Sequence, residues 1–282
     1  MTMADLIPAN DASVPAGRKR RLARKWLNWL TLVVAILAPL TFIVAAIGYK
    51  LGLLSIGLSL LTLTFKVGPL LLLVSLVLAL ASFVMAWVVQ PRKGFVVAGI
   101  AALISVFGGL KIANIRATGA ELPIIHDITT DTQNPPVFGE VILAERAAAE
   151  GVNSVEYKGK KAPVKSADGT YSGKLVSALQ TKAYPQIRPL VLSEKQDVVF
   201  GRALATAKSM GWKIKEEDVS AGRIDATDTT FWYGFEDDVA IRLRASEGGG
   251  TIVDVRSLSR VGMSDLGKNA ARITEFLEQL AE

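Results

Sequence analysis

The stretch WLTLVVAILAPLTFIVAAIGY, residues 29–49, contains no charged side chain. About 20 apolar residues are enough for a helix to cross a hydrocarbon core, so this stretch reads as a membrane span. Pro39 falls inside it, an interruption that transmembrane helices tolerate with a kink. Just upstream, Arg18, Lys19, Arg20, Arg21, Arg24 and Lys25 form a basic cluster. Trp26 and Trp29 then supply the amphipathic rings favoured at a membrane interface. A cleaved signal peptide would have a shorter apolar region and a small-residue cleavage site.

Two further apolar segments follow. Residues 68–89 are uncharged, and residues 94–113 carry only Lys111, close enough to the end to snorkel. Gln90, Pro91, Arg92 and Lys93 alone join them, so these two helices form an antiparallel hairpin. The transmembrane region is therefore residues 26–113, behind a basic tail, residues 1–25, expected to be disordered.

Residues 50–67 allow two readings. Gly52, Ser55, Ser59, Thr62 and Lys66 recur at helical spacing on one face, and Leu51, Leu54, Leu58, Leu61 and Phe65 on another. This suits an amphipathic helix lying at the interface. The alternative is a continuation of a long, tilted hairpin. The small-residue rows Gly94, Ala98, Ala102 and Ala101, Ser105, Gly109 allow close helix packing, within the bundle or between copies in a homo-oligomer.

Charge separates the two halves. Residues 1–113 hold eleven Lys or Arg and two acids, a net +9; residues 114–282 hold 21 and 24, a net −3. The basic balance thus follows the membrane segments, and no nucleic-acid footprint is expected in the second half. The basic cluster and Arg92-Lys93 both belong on the cytoplasmic side by the positive-inside rule. Three spans then put the N-terminus inside and the C-terminal domain outside, which for a bacterial inner membrane is the periplasm. No Asp, Glu or His lies within a span, so no ion or proton relay is evident. The absence of cysteine excludes disulfides, thiolate metal sites and a Cys nucleophile.

Residues 114–183 read as a juxtamembrane and surface segment, with a short helix over 138–150 and a basic excursion carrying Lys158, Lys160, Lys161 and Lys165. Residues 184–282 read as the core. A strand over 188–192 leads to a helix capped by Ser193, with Phe200, Ala203, Leu204, Ala207 and Met210 on its apolar face. Strands follow over 212–216 and 223–230. Val239, Ile241 and Leu243 alternate with Ala240, Arg242 and Arg244, and residues 247–250 make a hairpin loop into a strand over 251–260. Ser264 is the expected cap of a last helix with the stripe Leu266, Ala270, Ile273, Leu277 and Leu280. The fold class is α+β: a two-layer sandwich with a mostly antiparallel sheet. One sheet face packs on helices; the other carries Arg242, Arg244, Asp254 and Arg256, expected to be solvated.

Several runs together resemble one family. They are His126-Asp127-Ile128-Thr129-Thr130-Asp131, Ala183-Tyr184-Pro185-Gln186-Ile187, Gly222-Arg223-Ile224-Asp225-Ala226 and Gly234-Phe235-Glu236-Asp237-Asp238. Asp254-Val255-Arg256-Ser257-Leu258-Ser259-Arg260-Val261-Gly262 and Ser264-Asp265-Leu266-Gly267-Lys268-Asn269-Ala270-Ala271-Arg272-Ile273 complete the set. The sequence resembles the bacterial and plastid family known as domain of unknown function 1499, over roughly residues 120–280. Members of that family often carry N-terminal membrane spans. The resemblance implies this architecture and no particular reaction.

Candidate chemistry is sparse. Arg256, Arg260, Ser264, Asp265, Asn269 and Arg272 surround the start of the last helix, where unpaired N–H groups and the helix dipole favour an anion. Self-satisfaction is the competing reading: Ser264 caps, Asp265 complements the dipole, and Arg260 pairs with Asp237 or Asp238. His126, the only histidine, with Asp127, Asp131 and a Ser at 257, 259 or 264 would make a hydrolase set, but no Gly-x-Ser-x-Gly elbow is present, and a local turn anchored by Asp127 and Asp131 is the competing reading. Glu236, Asp237 and Asp238 lack the spaced loop of a calcium site, and no metal or cofactor is expected. The aromatics Phe231, Trp232, Tyr233 and Phe235 suit either hairpin packing or a membrane-facing tip.

The leading expectation is a non-catalytic membrane protein whose outer domain binds an envelope protein, an anionic small molecule or a lipid headgroup. A membrane-tethered hydrolase using His126 with a Ser or Asp is the alternative, and an accessory subunit of a transporter the third.

Overall fold

The computed structural model describes residues 16–162 and 173–282. The expected disorder of residues 1–15, and Lys165 of the basic excursion, lie outside the described residues. The chain divides into two units, one ending at residue 114 and one spanning Ile115–Glu282.

In the first unit, α1 (Ala16–Lys50) is followed by a π-helical segment (Gly57–Val67) that runs without a break into α2 (Gly68–Val88), and then by α3 (Phe95–Glu121). Three helices, Gly17–Lys50, Gly57–Val88 and Phe95–Glu121, are long and apolar enough to cross a membrane. Helix α1 starts well before the apolar run, so the basic residues 18–25, expected to be irregular, form its first turns.

Small residues set the packing. Ala35, Ala79 and Ala101 meet at the centre, with Ala102 against them, so both small-residue rows of α3 contribute to this packing. Hydrocarbon offers polar groups no partners, and several here find them within the helices. Thr31 Oγ1 and Ser82 Oγ lie 2.7 Å apart, and Ser59 Oγ donates to the Ala45 carbonyl at 2.6 Å. Arg24 reaches the α2–α3 connection, donating to the carbonyls of Val89 at 2.7 Å and of Pro91. The basic cluster and the basic connection therefore share one end of the helices.

The second unit is α+β. Its sheet contains β1 (Asp127–Thr129), β8 (Thr251–Ser259), β7 (Glu236–Ala245), β6 (Arg223–Thr229) and β5 (Lys213–Asp218) in that spatial order, all antiparallel neighbours. β4 (Leu190–Leu192) pairs with the beginning of β8 on the edge whose far end pairs with β1. The strand β8 is consequently central. Helices α6 (Gln196–Ser209) and α7 (Lys268–Ala281) cover one face. α4 (Glu140–Ala147), the short ribbon β2 (Lys161–Ala162) with β3 (Lys174–Leu175), and α5 (Val176–Ala183) complete the unit.

The main core lies between sheet and helices, where Val199, Phe200, Ala203 and Ala207 meet Ile224, Val239, Ile241, Val253 and Val255. Phe276 of α7 stacks on Trp212 with ring centroids 5.2 Å apart. At the β5–β6 turn Gly222 has φ +63°, and a Cβ there would sit 2.3 Å from the Leu243 carbonyl oxygen, so glycine is required.

Three expectations need correction. Helix α6 begins at Gln196, and Ser193 Oγ bonds the Glu194 carboxylate at 3.5 Å rather than capping. Helix α7 begins at Lys268, and Asp265 fills the capping role: its carboxylate accepts from Gly267 N and Asn269 N, both at 2.9 Å. Leu266 accordingly sits before the helix, and Phe276 joins the buried stripe. Finally, the charged sheet face is solvated only in part: Arg244 is exposed and Arg242 half-buried, but the rest is covered. Phe138 and Ile142 pack on Ala240 and Leu258, and Asp254 and Arg256 are buried. Strand alternation shows which residues share a face; it does not show that a segment distant in sequence covers that face.

Candidate functional site

Strand periodicity places the candidate residues. Along β8 and its continuation, Asp254, Arg256, Leu258 and Arg260 point away from α6 and α7, whereas Val253, Val255, Ser257 and Ser259 point toward them. The expected anion set is therefore split. Arg256 and Arg260 lie on one face of the sheet, and Asn269 and Arg272, on α7, lie on the other.

On the far face the charges form ion pairs beneath α4 and the segment around it. The Asp238 carboxylate is fully buried. Arg260 binds it side-on, Nε to Oδ2 at 2.9 Å and Nη2 to Oδ1 at 2.8 Å. Arg146 Nη1 adds a bond at 2.6 Å and Thr227 Oγ1 one at 2.8 Å. The remaining Arg260 donors reach Glu236 and Glu145, both at 2.6 Å. Burial disfavours the Arg260 cation, but the bonds to Asp238 and Glu145 outweigh it and hold the guanidinium above its ordinary value.

Arg256 is likewise consumed. Its Nε and Nη2 bind the two oxygens of Asp127, both at 2.9 Å, and Nη2 also donates to the Val155 carbonyl at 2.6 Å. The cation sits 4.9 Å from the Phe138 ring centroid, an additional attraction in a desolvated place. Lys160 approaches Asp127 at 3.3 Å. Asp254 is clamped by Arg242 at 2.9 Å and Arg244 at 2.8 Å.

On the helix side, Asn269 ties β8 to α7. Ser257 Oγ donates to its Oδ1 at 2.7 Å, and its Nδ2 donates to Ser259 Oγ at 3.0 Å and the His126 carbonyl at 2.9 Å. Arg272 binds Asp228 at 2.6 Å and Asp237 at 2.7 Å. Burial opposes its charge and these two carboxylates restore it, leaving the guanidinium above its usual range. Burial pushes the Asp265 carboxyl up, against the two N–H groups it accepts. Ser264 Oγ accepts from Leu266 N at 3.3 Å.

The His126 ring makes its hydrogen bond through Nδ1 with the Met263 carbonyl, at 3.1 Å. A carbonyl only accepts, so Nδ1 carries the proton and Nε2 is a buried acceptor without a partner among the described residues. Burial, then the Lys160 cation, lowers its pKa and so disfavours the charged ring. The hydroxyls of Ser257, Ser259 and Ser264 bond elsewhere, as above. Among the described residues no three His, Asp or Glu side chains converge as a metal-ligand set, and Glu236, Asp237 and Asp238 are bound by arginines.

Some important residues carried no sequence signal. Glu145 and Arg146 meet Arg260 and Asp238 across about 90–115 positions, and no periodicity reports that separation. Gly139 is another: its N–H donates to Asp225 at 3.2 Å, and a Cβ there would come within 2.6 Å of both Asp225 Oδ2 and Glu216 Oε2.

A search of curated proteins returns no match. A family model described as "Protein of unknown function (DUF1499)" matches residues 127–280, from the first residue of β1 to within α7. That match covers more than half of the 282 residues, and the chain belongs to the DUF1499 family.

Proposed function

We propose that the protein is a non-catalytic membrane-anchored binding module whose C-terminal domain serves a protein partner in the cell envelope. The observation that carries this reading is the internal saturation of the charged site. Arg256, Arg260 and Arg272 already bind buried carboxylates. An anionic small molecule or lipid headgroup would have to displace those carboxylates and leave them buried without partners, at a cost of several kcal/mol. Ser257 and Ser259, the hydrolase candidates on β8, are likewise held by Asn269. The arginines fit a role in holding the sheet to its cover and to α7, which leaves exposed surface for a partner.

The topology belongs to the same proposal: N-terminus cytoplasmic, domain periplasmic, in a bacterial inner membrane. The charge bias supports it, and so does Arg24 bonding the Arg92-Lys93 connection, because both basic groups then share a side.

The test places a photoreactive amino acid at exposed Val137, Val141, Val191 and Val198 in cells, followed by mass spectrometry of crosslinked membranes. One recurrent partner, crosslinked from one face only, is the expected result. Serine labelling by a fluorophosphonate probe that is lost in His126→Gln would sink the reading in favour of the hydrolase. Phosphate binding that is lost in Arg260→Lys would sink it in favour of an anion site.

A further inference from the structure

One end of the membrane unit carries more positive charge than its own sequence can answer. Residues 18–25 and 92–93 hold eight Lys or Arg, and the only acids before Glu121 are Asp5 and Asp11. Arg24 brings the two basic segments together. It is buried, and its Nη1 donates to the carbonyls of Val89, at 2.7 Å, and of Pro91. One turn on, Asn28 packs against Gly94, where a Cβ would collide with its amide. Among the described residues Arg24 thus meets carbonyl dipoles and no carboxylate.

A groove on α1 faces outward at this end, lined by Leu22, Lys25, Trp26 and Trp29. Their spacing of i, i+3, i+4 and i+7 puts them on one helical face. Arg18 lies one turn before Leu22 on the same row, and both Arg18 and Lys25 are exposed. Trp26 and Trp29 are 68% and 55% exposed. Along the helix the order is cation, then aromatic ring, then the uncharged stretch. Lys25 stands about 6 Å along the axis from Trp29, comparable to the depth of one interfacial layer. Trp87, exposed near the end of α2, lies 5.0 Å from the Arg92 guanidinium, so a second helix sets a ring beside a cation at the same end.

A groove with cations above and indole rings below matches one amphiphile: a negative phosphate joined to acyl chains. An apolar helix would leave Arg18 and Lys25 without a counter-charge. An acidic soluble partner would leave the tryptophans uncovered.

We propose that this groove binds an anionic phospholipid, with the phosphate on Lys25 and Arg18 and the glycerol and first acyl carbons against Leu22, Trp26 and Trp29. The site lies wholly within the membrane unit. It goes beyond the binding-module reading of the C-terminal domain, and either can fail without the other.

Native mass spectrometry of the full-length protein tests it. The protein, in detergent, is given equal amounts of phosphatidylglycerol and phosphatidylcholine of distinct mass. The expected result is a first lipid adduct several-fold richer in phosphatidylglycerol, with that preference lost in the double variant Arg18→Gln, Lys25→Gln. Both side chains are exposed, so helix packing is left intact. The double variant Arg92→Gln, Lys93→Gln removes the same charge outside the groove and should keep the preference. Equal retention of the two lipids by the wild type overturns the proposal. An equal loss in both double variants also overturns it, because the preference then follows the field of the whole basic end. Displacement of the lipid by excess soluble glycerophosphate overturns the part assigned to Trp26 and Trp29.

Discussion

At the scale of single residues, the second unit is organised by charges that give up water for one another. Asp238 accepts from Arg260, Arg146 and Thr227. Removing one member of such a set leaves an unpaired buried ion, which is worse than never having buried the pair. Asp238→Ala should therefore destabilise the domain by about 3–5 kcal/mol, read from thermal unfolding of the full chain in detergent by near-ultraviolet circular dichroism. An unchanged unfolding curve would mean that the network contributes nothing.

Asp225 behaves differently. Its carboxyl is pushed up from 3.8 to about 6, chiefly by burial, with the Gly139 N–H and the Arg223 cation opposing the shift. Arg223 Nε is 2.9 Å from Asp225 Oδ2, and the Glu216 carboxylate adjoins both. A raised folded-state pKa means that the fold holds this proton more tightly than the unfolded chain does. The contribution is then complete below about pH 4 and lost as pH rises through about 6. Asp225→Asn should flatten this part of the stability profile by on the order of 1–2 kcal/mol, after allowing for screening. A variant that keeps the wild-type slope between those pH values would remove Asp225 as the cause.

At the scale of elements, α7 depends on two devices of unequal strength. The first is Asp265, whose carboxylate accepts from Gly267 N and Asn269 N ahead of the helix. Asp265→Ala should cost about 1 kcal/mol, the usual worth of a cap. The second is Phe276, fully buried against Trp212. Phe276→Ala should cost about 3–5 kcal/mol, transfer and cavity terms together. Measured on the same denaturation assay, the reverse order of the two variants would contradict this account. The strand β8 shows how much alternation revealed in advance. Val253 and Val255 against Asp254 and Arg256 identified two faces, and the residues divide between them as read. The cover over the charged face came from Phe138, Ile142 and Arg146, more than 90 positions away, and no local pattern encodes such a meeting.

At the scale of the whole molecule, three apolar helices precede an α+β domain. The proposed topology predicts that a cysteine replacing exposed Lys268, Lys268→Cys, reacts with a membrane-impermeant maleimide added outside spheroplasts. Reaction only after lysis would invert the arrangement.

The sequence by itself determined the three spans, the α+β class and the family, because each rests on composition or short-range period: about 20 apolar residues for a span, alternation for a strand, spacing of three and four for a helix. It also brought forward the arginines at 256, 260 and 272. Only the tertiary structure decided what those arginines touch. Arg256 and Arg260 turn to one face and Arg272 approaches the other, each meeting carboxylates supplied from distant segments. An arginine waiting for a ligand and an arginine already holding a buried aspartate look alike in a chain of letters. They differ in desolvation and in the partner that long-range folding delivers.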